Sequence, residues 1–158
     1  MALQFRRVVT SHDTSGRAIV KIDEIAKNLV SWRPGATSRV VWTSQGFPVD
    51  NTGNEDAGLR KTGTTLDNGT VFRILELAPG ASPRNHRTDS IDYAVVMSGE
   101  IDMELDDSTV HLKAGDVLVQ RGTIHNWVNR GTVPCVIAFV LIAAEPVEVG
   151  GKVLPAQG

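Results

Sequence analysis

From Thr70 to Ala144, turns containing Gly, Pro or small polar residues cut the chain into short pieces rich in Val, Ile and Leu, and no other feature limits its folding as much. The pieces read TVFRILEL, NHRTDSIDYAVVM, IDMELDD, STVHL, DVLVQ, IHNWVN and CVIAFVLIAA, with PGASP, SGE, KAG, RGT and RGTVP between them. Segments this short make marginal helices, whereas β-branched residues suit a pleated, half-buried surface. Tight turns between them favour antiparallel pairing, so an all-β domain with roughly six or seven strands in this stretch is expected.

Ahead of it, VVT (8–10) and RAIVKI (17–22) flank the turn SHDTSG as a hairpin arm, with His12 an exposed turn residue. Residues 23–30, DEIAKNLV, fit either a short helix with Ile25 and Leu29 on one face or an irregular extension of the arm. SRVVWTS (38–44) reads as a strand and GFPVDNTGNEDAG (46–58) as a loop, of a length found in lids and in plain surface excursions. The Pro/Gly-rich tail after Glu145 is expected to be extended or partly disordered. The division is arm and loop (1–60), β-barrel (61–146) and tail (147–158), one domain overall.

The chain has 158 residues and a formal net charge of −2, which gives it no electrostatic reason to bind nucleic acid or an anionic membrane. Its longest apolar run, Val136 to Ala144, is too short to span a bilayer as a helix. MALQFRRVVT lacks the apolar core of a secretory signal, and the lone Cys135 sits in an apolar run as a small buried hydrophobe. A cytoplasmic location is expected.

Side-chain parity points to a site. His86, Thr88, Ser90 and Asp92 alternate along one strand and share a face, which turns apolar at Ala94 and Val96. A polar mouth over an apolar floor is the usual composition of a small-molecule pocket. Arg84 has the parity of His86 and is a candidate carboxylate clamp. His125, Trp127 and Asn129 share another face. Tyr93 should point outward, as should Arg87 and Asp89, which are placed to pair at the surface. His111 should lie outside with Thr109, opposite Val110 and Leu112. In IDMELD, Ile101, Met103 and Leu105 alternate with acidic residues, as on a half-buried strand.

The stretch from Gly80 to Asn129 resembles the cupin superfamily, whose fold is a small antiparallel barrel of jelly-roll type. The family's first motif, G-x5-H-x-H-x3-4-E-x6-G, reads here Gly80, His86, Thr88, Asp92, Gly99. The second, G-x5-P-x-G-x2-H-x3-N, reads Gly115, Gln120, Gly122, His125, Asn129, one residue shorter and with Gln at the Pro position. The resemblance implies a double-stranded β-helix and a metal site of His86, Asp92 and His125, with Thr88 where a third imidazole would stand. One divalent ion (Fe, Mn, Ni or Zn) suits such donors.

Three readings of this cluster stay open: a metal centre, a metal-free pocket using the same groups for acid/base work, and a merely structural polar cluster. The leading function is a metal-dependent enzyme of lyase or dehydratase type on a small acid or carbonyl compound. Asp92 and His125 would be catalytic, and Arg84, Thr88, Ser90 and Trp127 would bind substrate. The alternatives are a non-catalytic small-molecule binding module and a metal-free enzyme of the same fold. CVIAFVLIAA lacks polar alternation, so both its faces call for cover, and a homodimer is expected.

Overall fold

Turn glycines and period-2 burial build the molecule. The computed structural model describes residues 3–158, and of Ser31 and Trp32 the backbone alone; Met1 and Ala2, part of the segment read for a signal, lie outside the described residues. In chain order the strands are β1 (Arg6–His12), β2 (Ala18–Ile25), β3 (Leu29–Arg33), β4 (Ala36–Gln45), β5 (Gly69–Leu77), β6 (Ser90–Ser98) and β7 (Glu100–Glu104). They continue with β8 (Thr109–Lys113), β9 (Val117–Arg121), β10 (Asn126–Val128), β11 (Cys135–Ala143), β12 (Val147–Val149) and β13 (Lys152–Leu154).

Six strands form one sheet in the order β3-β4-β5-β11-β6-β9, and three form a second, β10-β7-β8. The core lies between them: Val40, Val71, Leu77, Val96, Ile137 and Leu141 from the large sheet meet Ile101, Met103, Leu112 and Trp127 from the small one. This is the jelly-roll arrangement, with β5 and β6 both pairing β11 rather than each other. Gly99 makes the tight β6–β7 turn at φ 75°, where a Cβ would stand 2.7 Å from Pro134 O. Among the described residues no helix is long and apolar enough to cross a membrane.

Several expectations change. Residues 23–30 contain no helix; β2 runs to Ile25, and β3 joins the large sheet, which therefore begins well before residue 61. The tail is ordered as a hairpin of β12 and β13, and Gln157 then pairs with Arg87 through two backbone hydrogen bonds of 2.9 and 3.0 Å. The 46–58 loop is fastened at its end, where buried Arg7 donates to Asp56 at 2.9 Å and Thr43 Oγ1 to Ala57 O at 2.7 Å. In β11 one face is buried, Cys135, Ile137, Phe139 and Leu141, while the other is half-buried. Val110 is exposed, because β8 is an edge strand of the small sheet. Arg87 does not pair with Asp89; its Nε donates to Gly122 O at 3.1 Å, and Asp89 Oδ1 is buried without a hydrogen-bond partner.

Candidate active site

The two motifs meet through the backbone. His86 N donates to His125 O and His125 N to His86 O, each at 2.9 Å, an isolated antiparallel bridge between segments far apart in sequence. Strand parity then turns both side chains inward, with ring centroids 4.2 Å apart and planes tilted by 50°.

Each ring is oriented by the carbonyl two residues before it. His86 Nδ1 lies 3.0 Å from Arg84 O, and His125 Nδ1 lies 2.9 Å from Thr123 O. A carbonyl can only accept, so each Nδ1 carries the proton and each Nε2 keeps its lone pair. Burial lowers the pKa of His86 to about 4, with the neighbouring His125 adding to the effect. It lowers that of His125 in the same way. Both rings are neutral bases at neutral pH.

Around them lies a narrow cavity of about 50 Å³, lined by Arg33, Thr64, Arg73, Arg84, His86, Thr88, Asp92 and His125 over a floor of Leu75, Trp127, Phe139 and Leu141. Trp127 stands edge-on to His125 at 5.9 Å and to Phe139 at 5.7 Å, which fixes its plane. A wider cavity of about 850 Å³ shares Thr64, Arg84 and Thr88 with the first and opens beyond it, between residues 64–68 and the tail.

Asp92 is buried opposite β9 and β11, and burial raises its pKa against the opposing pull of Ser90 and Arg73. Its Oδ1 lies 2.6 Å from Ser90 Oγ, which is 2.8 Å from Thr88 Oγ1, so the hydroxyl of Ser90 sits between the two alternate residues on either side of it. Ser90, expected at the substrate, supports Asp92 from behind and does not line the cavity. Thr88, Arg84 and Trp127 do line it. Among the described residues no three His, Cys, Asp or Glu side chains stand grouped as a metal site. The carboxylate engages Ser90, and Thr88 supplies no third imidazole.

Arg33 and Arg73 went unnoticed in the sequence. For Arg73 there was a signal, since it shares the inward parity of Val71, Leu75 and Leu77 on β5. Its Nη2 donates to Gly63 O at 2.6 Å and Thr64 O at 2.9 Å, and burial lowers its pKa to about 10, which leaves it cationic. Gln120, at the Pro position of the second motif, is buried and donates to Thr123 Oγ1 at 2.8 Å, steadying the loop whose carbonyl orients His125.

A double-sheet β-barrel with inward histidines from two paired motifs defines a class, and comparison with known proteins agrees. The Cupin_2 family, a cupin domain, matches residues 73–142. Phomopsin biosynthesis cluster protein C' of Diaporthe leptostromiformis is 37% identical over 159 residues, covering 94% of this chain and 83% of the relative. The cupin-domain-containing oxidoreductase fogC of Aspergillus ruber is 33% identical over 154 residues, covering 92% of this chain and 76% of the relative. The polyketide cyclase RemF from Streptomyces resistomycificus superposes with a TM-score of 0.51 at 15% identity, over 84% of this chain and 73% of the cyclase, a likeness of fold alone. The chain belongs to the cupin superfamily.

Proposed function

We propose that this chain is an enzyme of lyase or dehydratase type that holds a small acid or carbonyl compound in the barrel and moves a proton with its own side chains. The observation that carries the reading is the pair of Nε2 lone pairs, held neutral by burial and set in one tautomer by two backbone carbonyls. A neutral imidazole is a competent base at neutral pH. His125 takes a proton from the carbon beside the substrate carbonyl, and His86 stands next to it. Asp92, its pKa raised by burial, returns a proton on the leaving side. Thr88 and Arg84 orient oxygen atoms of the substrate, and the Trp127, Phe139 and Leu141 floor keeps water out. Relatives named as oxidoreductases and as proteins of biosynthesis clusters support an enzyme of small-molecule chemistry.

The test is solvent-deuterium exchange and turnover, followed by NMR, for a panel of small keto acids, hydroxy acids and aldehydes with chelator-treated protein. Activity is expected, with a loss of about 10²- to 10⁴-fold in His125→Gln. Binding without exchange or turnover would instead make the chain a non-catalytic binding module.

A second reading, favoured by the oxidoreductase names, places a divalent ion (Fe, Mn, Ni or Zn) on the two Nε2 atoms. Two imidazoles fit such an ion, and Asp92, whose Oδ1 accepts from Ser90, has its second carboxylate oxygen to offer. Elemental analysis of protein purified without chelator or His-tag decides: stoichiometric metal supports this reading. A homodimer and a cytoplasmic location complete the proposal. The first is supported by the exposed apolar outer faces of β6 and β9, with Tyr93, Val95, Met97, Val117 and Val119, and the second by the single, buried, free Cys135.

A further inference from the structure

We propose that Arg33 and Arg84 form a clamp for a carboxylate in the barrel pocket, so that the molecule turned over there is a carboxylate and not a neutral carbonyl compound. This deepens the acid/base reading of His86 and His125 and rests on it.

Charge around the cavity is unbalanced. Among the described residues three guanidinium groups line it, from Arg33, Arg73 and Arg84, against one carboxyl group, that of Asp92, while the two imidazoles are neutral. Asp92 acts on Arg73, whose Nη2 is also engaged with the carbonyls of Gly63 and Thr64. Among the described residues no Asp or Glu side chain is hydrogen-bonded to Arg33 or Arg84. Both arginines are half-buried, and the charge of Arg84 acts on Arg33. Arg84 donates one hydrogen bond, from Nη2 to Gly158 O at 2.9 Å, and the Nε of Arg33 is buried with no hydrogen-bond partner. Cations withdrawn from water without an anion are costly, and a planar carboxylate, with two acceptor oxygens, matches the donor geometry of guanidinium groups. A neutral carbonyl compound leaves the charge imbalance in place. The cavity's small volume admits a compact head group, and the wider cavity that shares Arg84 has room for the rest of the molecule.

The experiment is isothermal titration of the full chain with pyruvate, with its neutral analogue pyruvamide, and with inorganic phosphate. Pyruvate is expected to bind more tightly than pyruvamide by about tenfold or more, the scale of a charge-assisted hydrogen-bond pair. Arg33→Met should remove that preference and Arg33→Lys restore part of it. Arg33→Gln serves in place of the Met variant should the latter unfold. Equal binding of pyruvate and pyruvamide, tighter binding of phosphate than of pyruvate, or an undiminished preference for pyruvate in a folded Arg33 variant overturns the clamp. His125→Gln separates the two claims. It should keep the preference for pyruvate over pyruvamide while losing exchange, so loss of the carboxylate preference and loss of proton transfer fail independently.

Discussion

Two clusters in this molecule use the same residue types and come out with opposite properties. On the outer face of the small sheet, His111 Nδ1 lies 2.7 Å from Asp102 Oδ1, and Arg130 Nε donates to Asp102 at 2.9 Å. The His111 side chain is 57% exposed, and its hydrogen bond to Asp102 raises its pKa. Inside the barrel, His86 is 7% exposed, its partner is a backbone carbonyl, and its pKa falls. A carboxylate partner in water favours imidazolium, whereas burial favours the neutral ring and outweighs the opposing pull of the carbonyl partner. The same side chain is thus pushed toward the cation in one place and held as a base in the other, which is why the inner pair has the chemistry to offer.

The largest expected difference between the clusters is in activity. His125→Gln or His86→Gln should lower kcat by about 10²- to 10⁴-fold, while His111→Gln leaves the rate on the same substrate unchanged. A comparable loss in His111→Gln would erase the distinction.

Stability should separate them next. Arg73 is buried between Asp92 and the carbonyls of residues 63 and 64, so Arg73→Met removes the cation facing Asp92 and its hydrogen bonds to those carbonyls and should destabilise by about 3 kcal/mol in urea unfolding. Arg130→Met breaks only surface contacts and should leave the midpoint nearly unmoved.

The pH dependence has opposite signs at the two sites. Unfolded, His86 takes up a proton near 6.5, but in the fold only near 4, so its contribution is present above the higher value and is lost as pH falls through that window. The loss amounts to at most about 3 kcal/mol, and His86→Gln should flatten it. For His111 the folded pKa is raised, so its contribution is present at low pH and fades as pH rises through the folded value. His111→Gln should therefore change the slope in the other direction, and by the smallest amount of the set.

Parity made much of this legible. Period-2 alternation put His86, Thr88, Ser90 and Asp92 on the buried face, sent Tyr93 and His111 outward and buried Trp127, since a strand has only two faces and one is covered. The meeting of His86 with His125 came from motif spacing, because a backbone bridge between distant segments has no local signature. The tail hairpin was obscured by its composition; its order depends on Gln157 pairing with Arg87 and on Val147 packing over Gly122. Arg73 was visible as a charge at an inward position of a strand. Arg33 was not, because its place in the pocket is set by the pairing of β3 with β4 rather than by its neighbours in sequence. The hydrogen bond from Ser90 to Asp92 joins residues two apart on one strand face, the spacing that parity exposes.

Imidazole nitrogen NMR on uniformly labelled protein tests the central claim most directly. At pH 7 His86 and His125 should both show a protonated Nδ1 and a bare Nε2, with the His86 titration midpoint close to 4 and His111 titrating above the ordinary histidine value. A protonated Nε2 on either inner ring, or an imidazolium there at pH 7, would contradict it.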